Sequence, residues 1–202
     1  MPTTRGFKGK RSNANNNRIP PGQYVTQDFP VLTAGPTQRT PAEHWSLTLQ
    51  RGGEMLAHWS WEQFEALQQT ERTTDIHCVT RWTKLDTRWR GVTIDELMKA
   101  AGLSAPPTQF LMAHCDGGYT TNLLVADLLD GKAMIATHYD NLPIPVSHGG
   151  PARLLVPHLY FWKSAKWVAG LRLLDHDEPG FWEQNGYHDR GDPWLEQRYQ
   201  GD

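Results

Sequence analysis

The sequence predicts an irregular, β-rich α+β fold, on three observations. From Pro30 onward short apolar–polar runs are punctuated by Pro and Gly. Few helical segments announce themselves, and those are brief. No internal repeat or regular strand–helix alternation appears, which argues against a doubly wound parallel sheet. The 202 residues, 38% hydrophobic and 10% aromatic, suffice for one compact unit with a substantial core.

The elements follow in order. Trp45-Ser46-Leu47-Thr48-Leu49 alternates as a half-buried strand does. Ser60 with Gln63, and Thr93 with Glu96, open two helices as capping boxes, in which a hydroxyl and an acid or amide three residues on satisfy each other's free backbone N–H groups. The second helix ends at Gly102, a residue type at ease in the left-handed conformation that stops helices. Strands are predicted over 108–114, 133–139, 153–156 and 171–175, with a short helix over 124–130 ahead of Gly131. Pro179-Gly180 introduces the aromatic Phe181-Trp182, and the turn-rich Gly191-Asp192-Pro193-Trp194 is expected to wrap the surface.

Residues 1–22 carry Arg5, Lys8, Lys10, Arg11 and Arg18 without one acid, in an Asn-rich stretch too polar to order itself by burial. They are expected to form a mobile basic tail ahead of a single domain over 23–202, the alternative being a basic arm for a partner or nucleic acid. Across the chain 20 Lys and Arg balance 22 Asp and Glu, so no overall field draws the protein to nucleic acid or an anionic membrane. No apolar run approaches the roughly 20 residues needed to cross a bilayer. Lys10-Arg11 is followed by Ser12-Asn13-Ala14-Asn15-Asn16-Asn17 where an export signal needs hydrophobic residues, so the expected compartment is the cytoplasm.

Three constellations carry chemistry. The first is Asp75-Ile76-His77-Cys78-Val79-Thr80-Arg81-Trp82, where Arg81 stands close enough in sequence to favour a Cys78 thiolate, the form that binds a soft metal; the alternative is a cysteine packed as a small hydrophobe. The second runs from His148-Gly149-Gly150-Pro151-Ala152-Arg153 to Lys163-Ser164-Ala165-Lys166-Trp167. Its glycines admit an anion to the backbone, and Arg153, Lys163 and Lys166 supply charge for a phosphate; the alternative is a turn and a strand with solvated basic residues. The third is Asp116-Gly117-Gly118-Tyr119 after His114-Cys115, either a loop that builds a site or a plain hairpin turn.

In this order the clusters resemble the molybdopterin-binding domain of the sulfite oxidase superfamily, over roughly Pro20 to Asp202. The resemblance is nearest to the bacterial sulfite oxidase-like oxidoreductases. It is carried by Asp28-Phe29-Pro30-Val31-Leu32-Thr33-Ala34-Gly35-Pro36, His77-Cys78-Val79-Thr80-Arg81-Trp82, the tract from Gly149 to Trp167, and Glu178-Pro179-Gly180-Phe181-Trp182-Glu183. It implies an enzyme with a molybdenum–molybdopterin cofactor and Cys78 as the protein's ligand to the metal. The implied pterin contacts are Asp28, Val31 and Leu32, then Cys115, His148 and Arg153, then Ser164, Ala165 and Lys166 around the phosphate.

The implied reaction is two-electron oxygen-atom transfer on a small sulfite- or sulfoxide-like substrate. Arg81 faces either an anionic substrate or a neighbouring carboxylate. The haem and immunoglobulin-like domains of several relatives are not in this sequence, so a separate flavin, haem or ferredoxin-type electron-transfer protein is expected. Two rival readings remain. His77-Cys78 and His114-Cys115 together offer four ligands for structural zinc, and the aromatics offer a non-catalytic binding platform.

Overall fold

The computed structural model describes residues 17–202, in two mixed sheets flanked by short helices. In chain order come β1 (Tyr24–Val25), β2 (Ser46–Arg51), β3 (Glu54–Ser60), α1 (Trp61–Glu65), β4 (Thr70–His77), β5 (Trp82–Thr93) and α2 (Ile94–Ala100). There follow β6 (Phe110–Cys115), β7 (Thr120–Leu124), β8 (Met134–Tyr139), β9 (Leu142–Pro143), β10 (Arg153–Leu155), β11 (Val168–Leu174) and α3 (Phe181–Gln184). One sheet runs β3-β2-β11-β6-β7, with β2 and β11 parallel and its other pairs antiparallel. The other runs β1-β5-β8-β10, with β4 also paired to β5 and β9 to β8. The expected α+β class holds.

Side-chain alternation decides where the core lies. In β8 and β10 successive residues point to opposite faces, so Ile135 and Leu154 enter one apolar cluster while Met134, Ala136 and Leu155 enter another. The larger cluster draws on both sheets and on α2. The smaller holds Ile76, Cys78, Trp82 and Trp89, with Phe29 and Phe161 against it. Gly91 permits the contact between β5 and β8, because a Cβ there would sit 2.0 Å from the Ile135 carbonyl oxygen.

The Ser60 capping box forms in full. The second forms by half: Thr93 accepts from the Glu96 N–H, but the Glu96 carboxylate turns to Lys99 instead of back to the cap. The helix expected over 124–130 is a single 3-10 turn, Val125–Asp127. The long β4–β5 ribbon, the largest feature of its sheet, carries no clear strand signal, because Arg88 and Arg90 put charge on both sides of the buried Trp89 and break the apolar run that marks a strand.

Residues 1–16 of the expected basic tail lie outside the described residues. Its remaining end is held on the domain: Arg18 donates to Asp75 at 2.8 Å and to Asp86 at 2.6 Å, and Pro20 is buried. Arg18 and Pro20, expected in the tail, are thus in contact with the domain. Among the described residues no helix is long and apolar enough to cross a membrane.

Candidate active site

Cys78 stands at the tip of the β4–β5 ribbon because a three-residue loop, Val79 to Arg81, reverses the chain there. The Cys78 N–H donates to the Trp82 carbonyl at 2.8 Å, and the Arg81 N–H to the Cys78 carbonyl at 2.9 Å. Arg81 takes the left-handed conformation, φ 76°, that such a loop requires of its last residue. Gln23 Nε2 donates to the Cys78 carbonyl at 3.1 Å and ties the tip to the amino-terminal segment. The thiol lies in the wall of a cavity of about 390 Å³. Burial pushes it above its ordinary titration range, against the Thr80 hydroxyl, which donates to Sγ at 3.1 Å.

Arg153 forms the opposite kind of wall. It is 1% exposed, its guanidinium lies 4.2 Å from the Phe161 ring centroid, and it donates to the carbonyls of His148 (2.7 Å) and Ser164 (2.6 Å). Among the described residues it has no carboxylate partner, and its Nε is buried without an acceptor. Burial holds it down to about 9. A buried cation left uncompensated is costly, so this guanidinium calls for an anion from outside the chain.

The neighbours extend the cradle. Lys166 donates to the Ser147 carbonyl at 2.7 Å, and burial followed by the charge of Arg153 lowers it to about 8. The His148 ring stacks on Phe29 with centroids 3.9 Å apart at 17°. Burial, then Arg153 and Lys166, depress it to about 4, so it is neutral at pH 7. Gly149, φ 107°, lets the backbone of Lys166 approach so closely that a Cβ would lie 2.9 Å from the Lys166 Cα.

The cavity thus has a soft sulfur donor in one wall, flat aromatic surfaces along its length, and a buried uncompensated cation with a glycine cradle. These features fit a planar anionic heterocycle that carries a phosphate and a thiophilic metal. The sequence itself matches the family model described as the oxidoreductase molybdopterin binding domain, over residues 34–182. The chain belongs to this molybdopterin-binding oxidoreductase family.

As a molybdopterin oxidoreductase domain it is 39% identical to the uncharacterized oxidoreductase YuiH of Bacillus subtilis, over 97% of this chain and 99% of that one. It is 25% identical to a putative protein-methionine-sulfoxide reductase subunit, YedZ1, of Azospira oryzae, over 64% of this chain and 49% of the relative. Among solved structures, the sulfane dehydrogenase SoxCD of Paracoccus pantotrophus superposes with a TM-score of 0.60 at 19% identity, covering 69% of this chain and 40% of that one. That likeness is one of fold.

Against this molybdopterin domain the expected site residues divide. Leu32, Cys78, His148, Arg153, Ser164, Ala165 and Lys166 line one cavity. Asp28, Val31, Cys115 and Arg81 do not line it. Asp28, Val31 and Arg81 are exposed, while Cys115 belongs to the larger apolar cluster. Nearness to Arg81 in sequence does not make Cys78 a thiolate here, because burial raises the thiol, opposed only by hydrogen bonds from Thr80 and Val79.

Lys163 is corrected too. Its Nζ turns from the cavity to Glu183 Oε1 at 2.6 Å and to Asn122 at 2.8 Å, both members of the ion pair being wholly buried. Glu183 Oε1 also accepts from the Trp162 indole at 3.0 Å, which fixes a wall of the cavity. The zinc reading fails because the two cysteines lie in different apolar clusters, and among the described residues no three His, Cys, Asp or Glu converge on a metal. The platform reading fails because Trp45, Trp82, Trp89 and Trp162 are buried.

The sequence assigned no role to Phe29, Thr80 or Glu183. Phe29 and Glu183 stood inside quoted motifs, and their signal was an aromatic or an acid with no evident surface purpose. The Thr80 hydroxyl had no signal beyond its place two residues after Cys78.

Proposed function

We propose that this chain catalyses two-electron oxygen-atom transfer on a small substrate, with Cys78 as its ligand to molybdenum and electrons exchanged through a separate redox protein. The observation that carries the reading is a buried thiol and a buried, uncompensated Arg153 in the walls of one cavity. When bound, the cofactor supplies the two-electron couple. Cys78 would hold the metal; Arg153, Lys166 and the Gly149 backbone would take the phosphate end. The stacked Phe29 and His148 rings would bear on the pterin, and Trp82, Trp182 and Tyr187 line the same cavity beside Cys78.

Relatives named for sulfite oxidation and for methionine sulfoxide reduction both match this chain. The local wall favours the sulfoxide-like side of that pair. The cations of the cavity wall, Arg153 and Lys166, are the ones assigned to the phosphate end, and Arg81 does not line the cavity. A neutral substrate with apolar flanks meets no missing counter-charge there, whereas a sulfite anion does. Relatives named as reductase subunits support a separate electron carrier.

The test is the chain purified from a host that makes molybdopterin, assayed for metals by mass spectrometry and for visible absorption, beside Cys78→Ser. The reading requires molybdenum near one atom per chain, a spectrum changed by the substitution, and crippled turnover with cofactor retained. An active Cys78→Ser enzyme with the wild-type spectrum would remove Cys78 from the metal.

A further inference from the structure

We infer that Thr80 is a positioning residue that tunes the metal centre through the Cys78 sulfur. This rests on the reading of Cys78 as the molybdenum ligand. Thr80 lies in the three-residue loop at the ribbon tip and lines the same cavity as Cys78. Its hydroxyl donates to Cys78 Sγ at 3.1 Å and, among the described residues, makes no other hydrogen bond.

The geometry is held on both sides. The turn is closed by the Arg81 N–H on the Cys78 carbonyl and by the Cys78 N–H on Trp82, and Gln23 clamps the same carbonyl. The backbone that carries the sulfur and the hydroxyl is therefore fixed by the turn itself. The β-branch of Thr80 further restricts its χ1, which a serine lacks.

A donor on a ligating sulfur withdraws electron density from it. The sulfur then donates less to the metal, the reduced metal is favoured, and the reduction potential rises. Losing the donor raises the sulfur orbitals, so sulfur-to-metal charge transfer moves to lower energy. Thr80 thereby sets the driving force of turnover while touching neither substrate nor metal.

The experiment uses the molybdenum-loaded chain in four forms: wild type, Cys78→Ser, Thr80→Val and Thr80→Ser. A spectrum changed in Cys78→Ser establishes the sulfur ligand; an unchanged one sinks that reading, whatever Thr80 does. With the ligand established, Thr80→Val, isosteric but without the hydroxyl, is expected to keep its molybdenum. Its charge-transfer bands should move to longer wavelength and its potential, by redox titration, should fall, with Thr80→Ser restoring both. Thr80→Val carrying molybdenum with the wild-type bands and potential overturns the inference, as does Thr80→Ser behaving like Thr80→Val. Should Thr80→Val lose its metal, Thr80→Ala is read in the same way, and loss from both assigns the hydroxyl to metal retention and overturns a tuning role.

Discussion

Phe29, from the amino-terminal segment, and His148, from the loop before β10, lie ring on ring with centroids 3.9 Å apart. The stack brings together two distant parts of the chain to make one wall of the cavity, and it keeps His148 neutral by shielding it from water while Arg153 and Lys166 oppose its protonation.

This has a pH consequence. The folded-state value of His148 is depressed to about 4 from an ordinary 6.5, so its neutral form contributes stability that is fully present above about 6.5. That contribution is lost as pH falls through about 4, because the unfolded chain takes up the proton first. The thermal midpoint of the cofactor-free chain should fall across this window, and His148→Asn should flatten the fall. An equally steep profile in the variant would assign the window to other groups.

The buried pair of Lys163 and Glu183 gives a stability prediction. Lys163→Met strands a carboxylate in the core, for an expected loss of about 3–5 kcal/mol in denaturant unfolding. Lys163→Met with Glu183→Leu should recover part of that loss. Recovery stays incomplete because the Trp162 indole and the Thr121 hydroxyl lose their acceptor, at about 1–3 kcal/mol for a buried group left unsatisfied.

Arg81 separates backbone need from charge. At φ 76° it tolerates Asn, so Arg81→Asn should unfold near the wild-type midpoint. Arg81→Val should be destabilised relative to the wild type, because a β-branch adds crowding in the left-handed region beyond what Arg81 already bears. Since Arg81 does not line the cavity, Arg81→Asn is expected to retain turnover. A large drop in kcat at unchanged stability would give its charge a part in the reaction.

Gly149 is the backbone counterpart. Gly149→Ala adds strain at φ 107° and a methyl 2.9 Å from the Lys166 Cα, so the strap from Ser164 to Trp167 must shift. A loss of more than about 1 kcal/mol is expected, together with lower molybdenum content per chain. Wild-type metal content in a destabilised Gly149→Ala would confine the glycine to folding.

Much of the fold was legible in local chemistry. The alternation of Trp45 to Leu49, the Ser60 cap and the stop at Gly102 each express a rule acting within a few residues, and each appears in the structure. The β4–β5 ribbon was not legible, because what makes its charged residues a strand is pairing with β8 and the burial of Trp89 against Phe29 and Tyr139. The candidate site divides in the same way. Motif order pointed to Cys78, Arg153 and Lys166 as residues of one site. Residue type alone did not tell Lys163 from Lys166, two cations in one tract, nor Cys78 from Cys115, each following a histidine.

By itself, then, the sequence determined the α+β class, the family, and the cysteine and basic tract that face one cavity. Only the tertiary structure decided which face of the sheet each side chain enters. Cys78 reaches the cavity and Cys115 the main core, Lys166 lines the cavity and Lys163 meets Glu183. The physical reason is that strand side chains alternate direction with every residue, so a role depends on register and on what packs opposite, and neither is encoded within reach of the residue itself.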